Sequence, residues 1–437
     1  MSLVGDGQTG MAPFGPLMSS AGRARVLHTP LYRNGLALVA NSGLTSVLGV
    51  AYWSLVARSS TATIVGLNAA LVSALVACSN MSQAGLGGGL ASYLPSQGSG
   101  AARLVKRAFL ATALLSVLLG STFVLVAGRF SEAFSGLRSA PLALFFVASV
   151  AIWSIFGVQD NVLTGLRKAI WIPFENIGYS LVKLLLVLVI GSAFGSYGIF
   201  VSWTVPALLA IVPVSLLIFR SLLKDHHPVT APMAPIMPFE RFVVSDSLGM
   251  VFAQVSTTLL PVLVVARAGV TGGGLFYIPW MLAQSLDLLG INVGMSLTVE
   301  GARARHAVRP MLRRLLGQVV PVVAVAGLGM GVGAPVLLRL FGAEYASSSV
   351  TILRVLLIGC LFRAVNALAL CASRAELAAR RIVMLQALLA GIVPACAWWL
   401  MGPWGVAGAA VAWVLGQAIT SVVAIRSMGW LVSEQHS

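Results

Sequence analysis

The chain has 437 residues, 58% of them hydrophobic and 9% charged, with a mean hydropathy of +0.94. Soluble domains carry roughly 25% charged residues, so a soluble globular protein is excluded, and apolar stretches recurring from end to end describe a polytopic helical membrane protein. The period-two alternation of barrel strands is missing, and the formal net charge of +16 has to be judged by where the basic residues fall.

Residues 1–32 mix Gly, Ser, Pro and Met without the apolar core and cleavage site of a secretory signal, and are expected to form a flexible cytoplasmic segment. About twelve spans follow, each near the ~20 residues that a bilayer requires. They are predicted at 33–57, 61–84, 104–127, 140–165, 171–193, 198–220, 242–266, 273–298, 315–338, 348–371, 380–401 and 404–427. The result is an all-α integral membrane protein with an N-terminal lobe over 33–223, a C-terminal lobe over 242–427 and a cytoplasmic tail over 428–437.

Charge placement supports this division. With the N-terminus inside, cytoplasmic segments hold twenty of the 28 Lys and Arg residues and outer loops hold five, while Lys183, Arg354 and Arg363 lie within spans. That excess is the positive-inside rule, and it places both termini in the cytoplasm. The basic balance thus reports topology, and no nucleic-acid partner is expected. The four cysteines are dispersed through apolar segments and the five histidines fall in loops or tails. Packing is their expected role, with no metal site and no cofactor.

The linker KDHHPVTAPMAPIMPFER, Lys224–Arg241, carries four prolines, a density that stiffens a connector and prevents helix. The halves on either side rhyme. VAR closes the first span at Val56–Arg58 and the seventh at Val265–Arg267, and GIFVSW…IFRS in the sixth is echoed by GVAGAAVAW…IRS in the twelfth. Both halves begin on the same side, so the repeat is parallel, about an axis along the membrane normal. Pro206, Pro213, Pro261, Pro321, Pro335 and Pro394 fall inside spans and are expected to kink them, as static bends or as hinges.

A basic residue at mid-membrane costs roughly 2.5–3.5 kcal/mol on insertion scales, so it meets a partner or water. Lys183 lies near the centre of the fifth span, ~12 Å beyond Glu175 and too deep to reach the headgroups easily. Asn176, Ser180 and Lys183 share a face that Glu175 and Tyr179 flank. Arg363 is central in the tenth span with Asn366 near it, and Asp287 is central in the eighth with Tyr277, Trp280 and Gln284 on its side. Asn41, Thr45 and Tyr52 make a milder polar stripe in the first span. Two arrangements fit these residues. Asp287 pairs with Arg363 or Lys183 and pins helices together, or the cations line a central cavity and meet an anionic substrate. Asp160 and Asp246 sit near cytoplasmic ends, where Arg167 or Arg241 is within reach, and with Glu175 they are candidates for coupling or gating.

No catalytic constellation is visible, and the expectation is a transporter rather than an enzyme. GLGGGL at Gly85–Leu90 lacks the strand and helix context of a phosphate loop and suits a turn or close helix packing.

Several segments resemble the polysaccharide-exporter branch of the multidrug/oligosaccharidyl-lipid/polysaccharide (MOP) flippase superfamily. They are GLGGGLASYLP, VQDNVLTGLRKAIWIPFENIGYSLVKL, LFYIPWMLAQSLDLLGINVGMSLTVEGA, LFGAEYASSSVTILRVLLIGCLFRAVNAL and GPWGVAGAAVAWVLGQAI. The resemblance implies two pseudo-symmetric six-helix bundles forming a V around a central cavity, in a bacterial cytoplasmic membrane. It also implies transfer of a polyprenyl-diphosphate-linked oligosaccharide from the inner to the outer leaflet, for cell-surface polysaccharide synthesis. Membrane lipids would be its surroundings, and glycosyltransferases or a polymerase of the same pathway its candidate partners. A diphosphate wants fixed cations, and sugars suit amide and aromatic faces such as Gln284 and Trp280. Rivals are a lipid II flippase, whose usual two extra spans are absent, and a cation-coupled multidrug antiporter, whose usual acid in the first span is absent. A membrane-embedded glycan polymerase or ligase would show a large outer loop, and none is seen.

Overall fold

The structure is a computed structural model that describes residues 30–98, 100–190, 195–224, 247, 251–252, 254–303, 305–376 and 378–428. Most of the N-terminal segment, nearly all of the proline-rich linker, Asp246 and the end of the C-terminal tail lie outside these residues. So does the side chain of Asn41.

Helices α1 (Pro30–Ser59), α2 (Ala62–Ser82), α3 (Leu86–Tyr93), α4 (Ala101–Phe130), α5 (Ala140–Gly165), α6 (Ile172–Ile190) and α7 (Gly198–Leu217) make up the first half. The second half contains α8 (Leu260–Arg303), α9 (Val308–Val332), α10 (Ala334–Arg339), α11 (Ala343–Ser348), α12 (Val350–Ala375), α13 (Ala379–Trp404) and α14 (Val406–Ser427). Among the described residues ten segments are long and apolar enough to cross a membrane. One of them, Gln254–Asp287, runs from within the predicted seventh span into the predicted eighth, and α1 stands where the first was expected. The architecture is therefore about twelve membrane helices in two six-helix bundles.

The two spans inside that long segment separate at Gly269, where the backbone takes φ +79°. A Cβ on Gly273 would collide with the Val265 side chain, eight residues back. In a straight helix those residues would be ~12 Å apart, so the chain reverses at Gly269, a left-handed conformation that glycine adopts at little cost.

Pro206, Pro213, Pro321 and Pro394 lie inside helices, as the spans required, and α7 passes into a π turn at Ile218–Leu222. Two positions differ. Pro335 does not bend the ninth span. That span stops at Val332, and Pro335 stands in the first turn of the separate helix α10, where its missing N–H is harmless. Pro261 stands in the first turn of α8, after a two-residue interruption at 258–259. At this depth irregular backbone is tolerated only where protein or a cavity covers it.

Polar side chains fix the packing locally. Asn68 is fully buried on α2, donates to Ser196 O at 2.7 Å and accepts from Phe200 N at 2.9 Å, satisfying an orphan donor in the first turn of α7. The predicted close packing at GLGGGL is realised. Gly85 has φ +75° at the start of α3, and a Cβ on Gly165 would meet Leu90 O at 2.8 Å.

At one end the two halves are sealed together. Ser54 Oγ and Arg58 Nε both donate to Leu340 O at 2.7 Å, and the Thr63 and Thr271 hydroxyls lie 2.8 Å apart. Between them α2 and α8 touch through bare backbone, because a Cβ on Gly66 would overlap Val270 O and one on Gly274 would overlap Ala62 O. Small residues that admit such contact are how helices associate in lipid, where no hydrophobic force drives them together. This is the end that charge placement assigns to the outside.

Candidate functional site

The polar face of α6 is built by helical spacing, and it carries Asn176, Tyr179, Ser180 and Lys183 along one side. Ser180 returns its hydroxyl to Asn176 O at 2.7 Å. Lys183 is 5% exposed and has no acidic partner among the described residues. Its Nζ lies 4.3 Å from the centroid of Trp203, 4.6 Å from Tyr52 and 5.1 Å from Tyr179. A desolvated cation–π contact returns up to about 2 kcal/mol, so three rings together offset a mid-membrane insertion cost of ~2.5–3.5 kcal/mol without an acid.

The rings are themselves anchored. Tyr52 exchanges a hydrogen bond with Ser202 Oγ at 2.7 Å, and Tyr179 donates to Trp203 O at 3.3 Å. Trp203 packs against Trp153 at 5.3 Å and Trp53 at 6.3 Å, and Trp53 in turn meets Tyr277 of the opposite half at 4.6 Å. An aromatic wall therefore crosses from one half to the other beside the lysine.

Lys183 lines a cavity of about 590 Å³ to which both halves contribute, from Thr45, Asn80, Trp153, Asp160 and Asn176 on one side to Tyr277, Met281 and Gln284 on the other. A second hollow of about 420 Å³ shares Trp203, Tyr277, Met281 and Gln284 with it, and extends past the 258–259 break to Trp280, Asp287 and Arg363. The two hollows therefore adjoin at those four side chains.

Their charges are arranged unevenly. Arg363 Nε meets Asp287 Oδ2 at 3.3 Å, with the two side chains 16% and 8% exposed. Of the two arrangements the sequence allowed, Arg363 takes the ion pair and Lys183 does not. Asp160, which also lines the larger hollow, accepts from Asn176 Nδ2 at 3.1 Å, and its other oxygen is buried without a partner. Asn176 precedes Lys183 by seven residues, or ~10 Å along the helix. The formal charges of the described lining therefore cancel, with the unpaired cation deep and the acid nearer the start of α6. A uniformly positive chamber, as the buried cations suggested, is not what forms.

The remaining residues divide. Gln284 lines both hollows, and Trp280 lines the second while packing edge-on against Trp413 at 4.8 Å. Asn366 is turned away from them. It is 1% exposed, donates to Gln417 O and Oε1 at 2.9 and 2.8 Å, and accepts from Ser421 Oγ at 3.1 Å, so it ties α12 to α14. The two faces of a helix in a bundle are both buried, and polarity alone does not tell one from the other. Glu175 faces a groove between α6 and α7 with Trp171, Tyr179 and Pro206, and both its carboxylate oxygens are buried without a partner. The Asn41 side chain and Asp246 lie outside the described residues. Trp53, Trp153 and Trp203 are the site residues that sequence reasoning missed. The available signal was their position, since membrane tryptophans favour the interfaces and these sit within spans.

The chain matches no protein-family model and no curated protein. Its fold is similar to solved transporters. An inward-facing multidrug resistance MATE family transporter of the MOP superfamily matches at 15% identity and TM-score 0.67, over 90% of this chain and 96% of that one. The lipid II flippase MurJ in an inward closed conformation matches at 13% and 0.70, over 90% and 87%. A MOP superfamily transporter from Pyrococcus furiosus, described as having a binding pocket of reverse polarity, matches at 13% and 0.62, over 92% and 95%. The chain has the fold of the MOP superfamily transporters.

Proposed function

We propose that the protein carries a polyprenyl-diphosphate-linked oligosaccharide, or a related lipid-linked glycan, from the inner to the outer leaflet of a bacterial cytoplasmic membrane by alternating access. The observation that carries this is Lys183, a buried cation with no acid among the described residues, held by aromatic rings on the wall of a cavity between two halves sealed at one end. A diphosphate entering from the open side gives the ammonium its counter-charge, in a low-dielectric setting where such a contact is worth more than in water. Gln284 and the Trp53–Tyr277 wall offer amide and aromatic faces for sugar, and the prenyl tail stays in lipid. Arg363 is spoken for by Asp287 and serves second, by reorganising its pair when the headgroup arrives. The test is flipping of a fluorescent lipid-linked glycan in proteoliposomes. Lys183→Ala should cut the rate at least tenfold with insertion intact and Lys183→Arg should restore much of it, whereas full activity in Lys183→Ala refutes the assignment.

A second reading, a cation-coupled multidrug antiporter, draws support from the unpartnered oxygens of Asp160 and Glu175 and from the fold shared with a multidrug resistance MATE family transporter. It predicts uptake of a lipophilic cation that stops in Glu175→Gln and is indifferent to Lys183→Ala.

A further inference from the structure

Away from the central cavity, α9 and α12 enclose a hollow of about 400 Å³ that opens to the bilayer. One wall is a face of α9 with Ala324, Gly327 and Gly331, and the other is a face of α12 with Leu357, Leu361 and Arg354. Residues three, four and seven apart lie on one side of a helix, so the glycines form a notch parallel to the helix axes. Its rim is greasy and open, with Leu328 70%, Val332 72% and Ile358 51% exposed.

The groove has a direction. Arg354 is in the second turn of α12, near the membrane surface, and Leu361 lies near the middle of that helix. The distance between them is ~10 Å, most of the ~15 Å half-thickness of the hydrocarbon. One end is thus cationic and superficial, and the other is apolar and at the bilayer centre. Arg354 Nε donates to Gly331 O at 3.0 Å, which holds the guanidinium over the mouth of the notch. Among the described residues it has no other hydrogen bond and no acid, so the donors on its two terminal nitrogens remain for a ligand.

We infer that this groove binds one anionic phospholipid of the leaflet at the Arg354 end, with its phosphate on Arg354 and an acyl chain against Gly327 and Gly331. Charge placement makes that the outer leaflet. A permanently charged, forked guanidinium suits a phosphate, the glycine notch supplies the room that a chain needs, and the polarity of the groove is that of a lipid. The site is separate from the transport cavity and stands whether or not the glycan reading does.

The test is retention of phosphatidylglycerol by the purified full-length protein, titrated in nanodiscs and counted by native mass spectrometry against phosphatidylcholine. Arg354→Ala should lower phosphatidylglycerol affinity about tenfold, the worth of a charge-assisted hydrogen bond, and Arg354→Lys should lose less. Gly331→Leu fills the notch and should lower it too. A Cβ at Gly331 meets only Leu357 Cδ1, at 3.7 Å, so that variant is expected to fold. Equal binding by wild type and Arg354→Ala, or no preference over phosphatidylcholine, overturns the proposal. Loss in Arg354→Ala with full retention in Gly331→Leu also overturns it, by reducing Arg354 to an ordinary surface contact.

Discussion

Lys183 Nζ sits 4.3 Å from the centroid of the Trp203 ring, so a buried cation is covered by a π face where a carboxylate would be the usual neighbour. The sixth-span motif that contains Trp203 is the one echoed in the twelfth span, where the matching tryptophan, Trp413, packs against Trp280 and covers no charge. The same repeat position has therefore taken on two tasks, one in each half.

If the ring holds the ammonium, the two residues must be energetically coupled. A double-mutant cycle with Trp203→Leu and Lys183→Met, read by thermal unfolding in detergent, should give a coupling of about 1–2 kcal/mol. Simple additivity would mean that the ring only fills space.

The Asp287–Arg363 pair should behave as a buried ion pair. Asp287→Asn strands Arg363 and should destabilise by about 3–5 kcal/mol, while Asp287→Asn with Arg363→Met should recover most of that loss. Thermal unfolding of the two variants checks this. Failure of the double variant to recover would point to a demand on Arg363 from something other than Asp287.

If the protein alternates access as proposed, the seal at the Arg58 end opens once per cycle. Cysteines at Thr63 and Thr271, whose hydroxyls are 2.8 Å apart, should cross-link under oxidation and arrest transport until reduced. Transport that continues while the bridge is intact would show that this contact is static.

The sequence was most legible where one physical rule acted alone. Membrane thickness fixed the number of spans, and the cost of a buried charge picked out Lys183, Asp287 and Arg363. It was least legible where two answers satisfy the same rule. Asn366 and Gln284 are both amides on mid-membrane helices, yet Asn366 spends its hydrogen bonds on Gln417 within the bundle while Gln284 faces the cavity. Only the rotation of each helix against its neighbours decides that. The aromatic cover of Lys183 was hidden for a related reason, since Tyr52, Tyr179 and Trp203 come from α1, α6 and α7 and meet only after folding.

The driving force is open to the most direct test. An inside-negative potential favours outward movement of an anion by ~2.3 kcal/mol per charge per 100 mV. A doubly charged diphosphate would therefore gain about twice that if the protein's own charges stay put. Lys183 is fixed among three rings and Arg363 is neutralised by Asp287, so neither is arranged to cross the field with the substrate. Glycan flipping in proteoliposomes should rise steeply with an imposed potential, need neither a proton nor a sodium gradient, and survive Glu175→Gln. Dependence on such a gradient, lost in Glu175→Gln, would instead assign the buried acids of α5 and α6 to coupling and favour the antiport reading. A rate indifferent to potential, gradient and Glu175 alike would leave the protein an equilibrating carrier, with Lys183 setting selectivity and no part of it setting direction.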